Sequence, residues 1–368
     1  LTVEARERAQ VPFFGVEREF AALRSEMMER IGGVLASGQV LQGPEVAALE
    51  ERVAGLTGRR HAVAVNSCTD ALFFALQAAG VGEGDEVLVP DFSFVASASA
   101  ILRAGATPVF VDIGNDFNLD LERAAELVTS RTRALVFVHL FGLMSDPQLI
   151  EGFGMAHGLR VIEDAAQSFG ARFGGRAAGS VGLVSCFSFD PTKPISAPGS
   201  GGMVLTDREE VADKVRRARY HGKTAGGLFS ELGYNSQMPT TTAAVLSLKI
   251  DHEPGFTARR REVAARYTAA LTSREVLAPP DRDEALHIYH KYVVRTAHRD
   301  QLQRRMSEAG VATMIHYPHP LSSHPMFGPA ARENPRAATA CDQVLSLPIH
   351  PFLADEEVER VVGVLAAS

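Results

Sequence analysis

Cysteine is scarce in this chain. Its 368 residues include three, Cys68, Cys186 and Cys341, far apart and without a Cys-x-x-Cys pair. Such spacing argues against a disulfide framework and against a zinc site, and it fits a reducing compartment. A long basic run is also missing. Acids and bases are interspersed and the net charge is -7, so the charge pattern gives no support to nucleic acid or an anionic membrane as a partner. No uncharged apolar stretch reaches the ~18 residues that a membrane span needs. The first ten residues, "LTVEARERAQ", are charged and lack the apolar core of a signal peptide. Because the chain opens on Leu1, an initiator residue is expected to be missing from it. No G-x-G-x-x-G opens a helix after the first strand, which removes a Rossmann oxidoreductase. No repeat of fixed period and no low-complexity tract is present. The expectation is a cytoplasmic protein of enzyme size, long enough for a large domain and a smaller one.

What is present is a rhythm. Residues 16–36 and 43–58 carry helical periodicity, the second with Pro44 in its first turn and Gly58 at its end. Strand-like runs then alternate with helix-like ones. The strands are 61–66, 85–90, 107–113, 133–140 and 159–164; the helices are 68–80, 93–105, near 120–129 and near 146–157. These strands are continuous apolar runs rather than alternating ones, as expected of a mostly parallel sheet buried between helix layers. After Asp164 the pattern changes. "VGLVSCFSF" and "GGMVLTD" read as paired strands, followed by a helix at 208–221 and a long helical stretch at 239–274. Beyond the proline-rich 277–287, "KYVVRT", a helix at 299–309, "VATMIHYP" and a last helix at 354–366 suggest a smaller α+β unit. The expected division is 1–250, an N-terminal segment with the large domain, and 251–368, the small domain.

Four features carry chemistry. "VIED" ends a buried strand on Asp164, and ligands of open α/β sheets bind outside the carboxyl ends of strands. That carboxylate either caps the next helix or faces a cation. "VNSCTDAL" places Ser67, Cys68 and Thr69 at a helix N-terminus, which either caps the helix or receives a phosphate. Phe94 follows a strand at the same sheet edge, as core or as a ring that stacks on a flat ligand. Lys193 stands in "FDPTKPISAPGSGG", with proline two residues before it and directly after it. Pro194 holds the Lys193 backbone extended. A nucleophilic lysine needs a fixed stem and a lowered pKa; the alternative is a solvated loop lysine. Ser188 could reach the same place. Together these are the parts needed to hold pyridoxal 5'-phosphate, with the lysine forming a Schiff base and the carboxylate keeping the pyridine nitrogen protonated.

In this order and spacing the motifs resemble the DegT-type sugar aminotransferases, which are fold-type-I pyridoxal-phosphate enzymes. The likeness runs from "SGQVLQGPEVAALEERVAGLTG" through "VNSCTDAL", "VHLFG", "VIEDAAQSFGA" and "FSFDPTK" to "GYNSQM", "IHYPHPLSSHP" and "LSLPIHP". It implies an α/β fold, a seven-stranded, mostly parallel sheet between helices, with a smaller C-terminal α+β domain. It implies that Lys193 carries the cofactor and shuttles the proton, and that Asp164 pairs with the pyridine nitrogen. Gln167 would bond the ring hydroxyl, Phe94 would stack on the ring, and Ser188 with Ser67, Cys68 and Thr69 would hold the phosphate. Asn235 would reach the phosphate of a second subunit's cofactor, making a homodimer with shared sites the active unit. His316, Tyr317 and Gln237 would lie on the substrate side. No metal is implied.

The reaction so implied moves the amino group of L-glutamate to a keto-sugar. The acceptor is a nucleotide-linked keto-deoxysugar with its ketone at ring carbon 3 or 4, in the biosynthesis of amino sugars for surface polysaccharide or antibiotics. A cyclitol ketone or a free keto-sugar acid is the alternative acceptor. A sugar dehydratase of the same fold would have histidine in place of Lys193, and a non-catalytic regulatory relative would not need Asp164, Gln167 and Lys193 together. The chain departs from the family pattern in four places. Cys68 stands where glycine is frequent, and a positive φ would be costly for it. Gln237 replaces a basic residue, Thr242 a glutamine and Ser200 an acid.

Overall fold

A computed structural model describes residues 11–329 and 333–368. The charged stretch 1–10, expected not to be a signal peptide, lies outside them. Nine strands lie in the first part of the chain: β1 (His61–Val65), β2 (Glu86–Pro90), β3 (Thr107–Val111), β4 (Thr132–Val138), β5 (Arg160–Asp164), β6 (Arg172–Phe173), β7 (Arg176–Ala177), β8 (Val184–Ser188) and β9 (Gly202–Thr206). Seven form one sheet in the order β1-β9-β8-β5-β4-β2-β3. β9 runs antiparallel to both β1 and β8; the pairs from β8 to β3 are parallel. β2, β8 and β9 are wholly buried, as their apolar runs predict. β3 is the exception. It is one of the two edge strands; three of its residues are only half-buried and Thr107 is exposed.

Helices cover the sheet: α1 (Val16–Ser37), α2 (Pro44–Thr57), α3 (Cys68–Ala78), α4 (Ala96–Arg103), α5 (Leu121–Ala125), α6 (Pro147–His157), α7 (Glu209–Ala218) and α8 (Thr240–Ala270). α2 starts on Pro44 and stops at Gly58, whose φ of 75° only glycine adopts freely. α5 is shorter than the expected 120–129. Asp120 caps it, but the following chain turns to bond Glu86 at the start of β2. Thr129 Oγ1 donates to that carboxylate at 2.5 Å and Arg131 Nε at 3.0 Å. α8 runs through Pro254 without a break, and the expected boundary at 250/251 falls inside it. Its first half packs into the core of the large sheet, with Leu246 and Ile250. Its second half packs elsewhere, with Val263 and Tyr267 against Tyr292, Met306 and Val358. Among the described residues no helix is long and apolar enough to cross a membrane.

The remainder contains β10 (Ala285–Leu286), β11 (Tyr292–Arg295), α9 (Arg299–Glu308), α10 (Pro335–Gln343), β12 (Val344–Leu347) and α11 (Asp355–Ala366). β10 joins β6 and β7 in a small sheet, and β11 pairs with β12. "VATMIHYP" contributes two isolated bridges, Val311 to Val11 and Met314 to Ser346, rather than a strand.

One buried carboxylate ties this part to the main sheet. Asp91, directly after β2, accepts from Ser322 N–H at 2.6 Å, Ser322 Oγ at 2.8 Å and Asn334 Nδ2 at 2.8 Å. Removing it strands those donors. Asp91→Ala is expected to cost about 1–3 kcal/mol, read as a lower urea midpoint; an unchanged midpoint would show that the tie does not stabilise the fold.

Candidate active site

In sequence order the parallel strands run outward both ways from the β2–β4 pair, so the chain crosses there from one half of the sheet to the other. Ligands of such sheets bind outside the carboxyl ends of the strands at this point. A cavity of about 250 Å³ lies there. Its lining includes Phe94 and Ser97 beyond β2, Val138 ending β4, Asp164 ending β5, Ser188 ending β8, and the first turn of α3.

Asp164 is 3% exposed. Its Oδ2 accepts from Ser97 Oγ at 2.7 Å and its Oδ1 from Ala166 N–H at 3.1 Å. Burial pushes its pKa up, against the hydrogen bonds from Ser97 and Ala166 and the charge of Lys193. A carboxylate in that position gains most from a cationic partner. It bonds Ala166 in a local turn as well, but among the described residues the next helix begins only at Glu209, so the carboxylate does not act as a helix cap.

Lys193 shares the cavity. Its loop is pinned at several points. Asp190 Oδ1 accepts from Thr192 N–H at 3.0 Å and Thr192 Oγ1 at 2.7 Å. The Asp190 carbonyl accepts from Lys193 N–H at 2.9 Å, and the Pro194 carbonyl from Arg260 Nη2 at 3.3 Å. Burial lowers the Lys193 pKa below its ordinary 10.5, with Cys68, Asp164 and Asp190 opposing. Among the described residues its ammonium has no hydrogen-bond or ion-pair partner. The glycines after it have steric work. Gly199 has φ 131°, and a Cβ on Gly202 would stand 2.3 Å from the Ser67 carbonyl carbon. Thus the lysine loop packs directly beneath the first turn of α3.

That first turn is built as a cap. Ser67 Oγ accepts from Asp70 N–H at 3.1 Å. Cys68 opens the helix with helical backbone, so the expected penalty of a positive φ does not arise. Ser67, Cys68 and Thr69 all line the cavity. Phe94 is 52% exposed and lines it too, so it is not core. Gln167 is buried; its Oε1 accepts from Phe141 N–H at 2.9 Å and its Nε2 donates to Tyr317 Oη at 3.1 Å. Ser188 accepts a long bond from Asp190 N–H at 3.4 Å. His316 and Tyr317 close one wall. Burial lowers His316 to about 3, helped by Lys291 and Lys193, and raises the Tyr317 hydroxyl.

Two expected residues are elsewhere. Asn235 is exposed and its backbone pairs with Tyr220. Gln237 bonds Gln42. Neither lines the cavity within this chain.

This geometry accords with the comparisons. A profile described as the DegT/DnrJ/EryC1/StrS aminotransferase family matches residues 21–366. The chain belongs to that family. It is 40% identical to a Geobacillus stearothermophilus protein named pleiotropic regulatory protein, over 97% of this chain and 98% of the other. It is 38% identical to the UDP-N-acetyl-3-dehydro-alpha-D-glucosamine 3-aminotransferase of Acidithiobacillus ferrooxidans, over 96% and 97%. The crystal structure of S. venezuelae DesV in complex with a ketimine intermediate superposes with a TM-score of 0.94 at 36% identity, covering 98% of each chain. The fold is therefore that of a family aminotransferase, with a seven-stranded mixed sheet among helices.

Within this family fold the cavity holds residues that sequence reasoning passed over. Ser97 and Ser93 form a hydroxyl chain to Asp164, with their oxygens 3.1 Å apart. A serine in the first turn of α4 left no signal of its own. Lys291 is the larger omission. It is 7% exposed and lies directly before β11. Its ammonium sits 4.7 Å from the Phe14 ring centroid and 5.2 Å from that of Phe13. Burial lowers its pKa to about 7, with Lys193 and Arg260 adding repulsion. A desolvated cation–π contact contributes about 2 kcal/mol, whereas burying an ammonium costs several. The two rings offset only part of that cost.

Proposed function

We propose that the protein transfers the amino group of L-glutamate to the ketone of a nucleotide-linked sugar, with pyridoxal 5'-phosphate held in the cavity between α3 and the Lys193 loop. The observation that carries this reading is that Lys193 and Asp164 face the same cavity. The cavity's chemistry fits that cofactor. Asp164 is a buried carboxylate with a raised pKa, which a pyridinium N–H would satisfy. The first turn of α3 offers backbone N–H groups to a phosphate. Phe94 presents an exposed ring. When bound, the group supplies an electron sink for the carbon that bears the amine.

The remaining work belongs to the chain. Lys193 Nζ would hold the cofactor covalently. Once displaced by the donor amine, it would take the proton from the donor α-carbon and deliver it again in the acceptor half-reaction. Its lowered pKa makes the neutral, proton-accepting amine more accessible near neutral pH. Asp164, positioned by Ser97, would keep the ring nitrogen charged. Gln167 keeps one amide N–H beyond its bond to Tyr317, and we assign it to the ring oxygen. Ser188, Ser67, Cys68 and Thr69 would hold the phosphate. Asn235 and Gln237 lie outside the lining of their own cavity, which supports a homodimer in which they serve the partner's site.

The acceptor class draws on the relatives. The Acidithiobacillus protein is named for a UDP-linked 3-keto sugar, which favours a nucleotide-linked substrate with its ketone at ring carbon 3. The test is spectroscopic. Purified protein loaded with pyridoxal phosphate is expected to lose its visible absorbance with L-glutamate, releasing 2-oxoglutarate. The absorbance is expected to return with a nucleotide-linked 3-keto sugar and not with a cyclitol ketone. An unchanged spectrum in the presence of glutamate would overturn the aminotransferase reading.

A further inference from the structure

Lys291 is left with no hydrogen-bond or ion-pair partner for its ammonium among the described residues, with only the rings of Phe13 and Phe14 against it. It shares the active-site cavity with Lys193, His290 and His316. It also lines the smaller pocket behind the lysine loop, together with Arg260 and Glu19. The acids near that pocket are already engaged. Glu19 pairs with Lys249 at 2.9 Å and accepts from Ser196 at 3.0 Å. Glu253 accepts from Thr257 at 2.6 Å. Arg260 is itself buried, bonds only the Pro194 carbonyl, and leaves its Nε without a partner. Among the described residues, Lys291 has no carboxylate within ion-pair distance. Lys193 and Arg260 thus both repel Lys291, and the acids that face the cavity, Asp164 and Asp190, are bonded to Ser97, Ala166 and Thr192 and, among the described residues, form no ion pair with Lys291.

We propose that Lys291 binds a substrate carboxylate beside Lys193 and so selects carboxylate-bearing substrates. The inference rests on the aminotransferase reading. Two sources bring the same chemistry: the amino donor, which always carries a carboxylate, and a uronic-acid acceptor. Phe13 and Phe14 complete the design. They hold the ammonium on their faces and leave its N–H groups free for the ligand. A charge-assisted contact in so dry a place discriminates strongly against an uncharged analogue.

The experiment uses the cofactor-loaded protein. Lys291→Met removes the charge and keeps the stem; Lys291→Arg keeps a charge. Calorimetric binding of glutarate against glutaramide probes the donor source. Binding of UDP-glucuronate against UDP-glucose probes the acceptor source. Lys291→Met is expected to weaken one carboxylate probe by about tenfold or more, to leave its uncharged counterpart unchanged, and to be partly rescued in Lys291→Arg. For the donor source, half-saturation by L-glutamate in the bleaching reaction should rise while its limiting rate holds. Carboxylate binding within about twofold of wild type for both probes would overturn the proposal, and the wild-type bleaching reaction shows separately whether the enzyme reading stands. Should neither variant retain cofactor, wild-type protein decides: equal binding of glutarate and glutaramide, and of UDP-glucuronate and UDP-glucose, overturns the proposal, and a clear carboxylate preference supports it.

Discussion

Lys193→Ala is expected to slow amino transfer by about 10⁴-fold or more, the upper end of what a positioned proton carrier contributes. The fold should survive, since the side chain is half-buried and makes no hydrogen bond or ion pair with the described residues. Two further readouts separate a lost catalyst from a damaged cavity. Cofactor should still bind, through the α3 turn and Asp164, but borohydride should no longer fix it to the protein. Small primary amines added to the solution should restore part of the rate, because the space vacated by the stem opens onto the cavity. A borohydride-fixed cofactor in the variant would mean that another lysine carries it, and Lys291 lines the same cavity. Activity within about tenfold of wild type would remove Lys193 from the proton-transfer role.

How much of this was legible before the structure depends on the kind of signal. Lys193 and Asp164 were readable because each sits at a place that the chain marks twice. Asp164 ends an apolar run, and Lys193 stands among prolines between two strands. The α3 turn was readable as a helix start, although a cap and a phosphate site share the same residue types, and Ser67 serves as the cap. Lys291 was not readable. It is one basic residue before a short strand, and only the packing of Phe13 and Phe14, nearly 280 positions away, places it in the cavity. The small sheet of β6, β7 and β10 was missed because strands of two residues carry no period. The end of α5 was misjudged because its stop is tertiary: Thr129 and Arg131 are drawn to Glu86. Asn235 and Gln237 show the limit in the other direction. Their likeness to a motif named them, yet one chain gives them no cavity to serve.

The same strand that presents Asp164 also carries the second large expected effect. Side chains alternate along a strand, so Glu163 points to the face opposite Asp164. It is fully buried, accepts three hydrogen bonds and lies beside a histidine ring. Its Oε1 accepts from Gly179 N–H at 2.8 Å, and its Oε2 accepts from Val181 N–H at 2.8 Å and Ser185 Oγ at 2.6 Å. His139 Nδ1 accepts from Ser145 N–H at 3.3 Å, which leaves the ring proton on Nε2, 3.1 Å from Glu163 Oε1. Burial alone would raise the Glu163 pKa; the contact with His139 and the bonds from Ser185 and Gly179 outweigh it and hold the value below 4.5. Glu163→Ala leaves those donors facing a void and is expected to cost about 3–5 kcal/mol. Glu163→Gln should cost nearly as much, because its amide N–H groups would confront N–H donors. The pH dependence has a definite sign. The folded carboxyl is more acidic than the unfolded one, so its stabilisation is complete above about pH 4.5 and is lost as pH falls through the folded value. The melting-temperature gap between wild type and Glu163→Ala should therefore be wide at neutral pH and narrow as pH is lowered below 4.5. A gap that is absent at neutral pH, or that widens in acid, would show that this carboxylate does not hold the end of β5. Asp164 depends on that end for its place in the cavity, so the destabilised variant should also bind cofactor more weakly than its folded fraction explains.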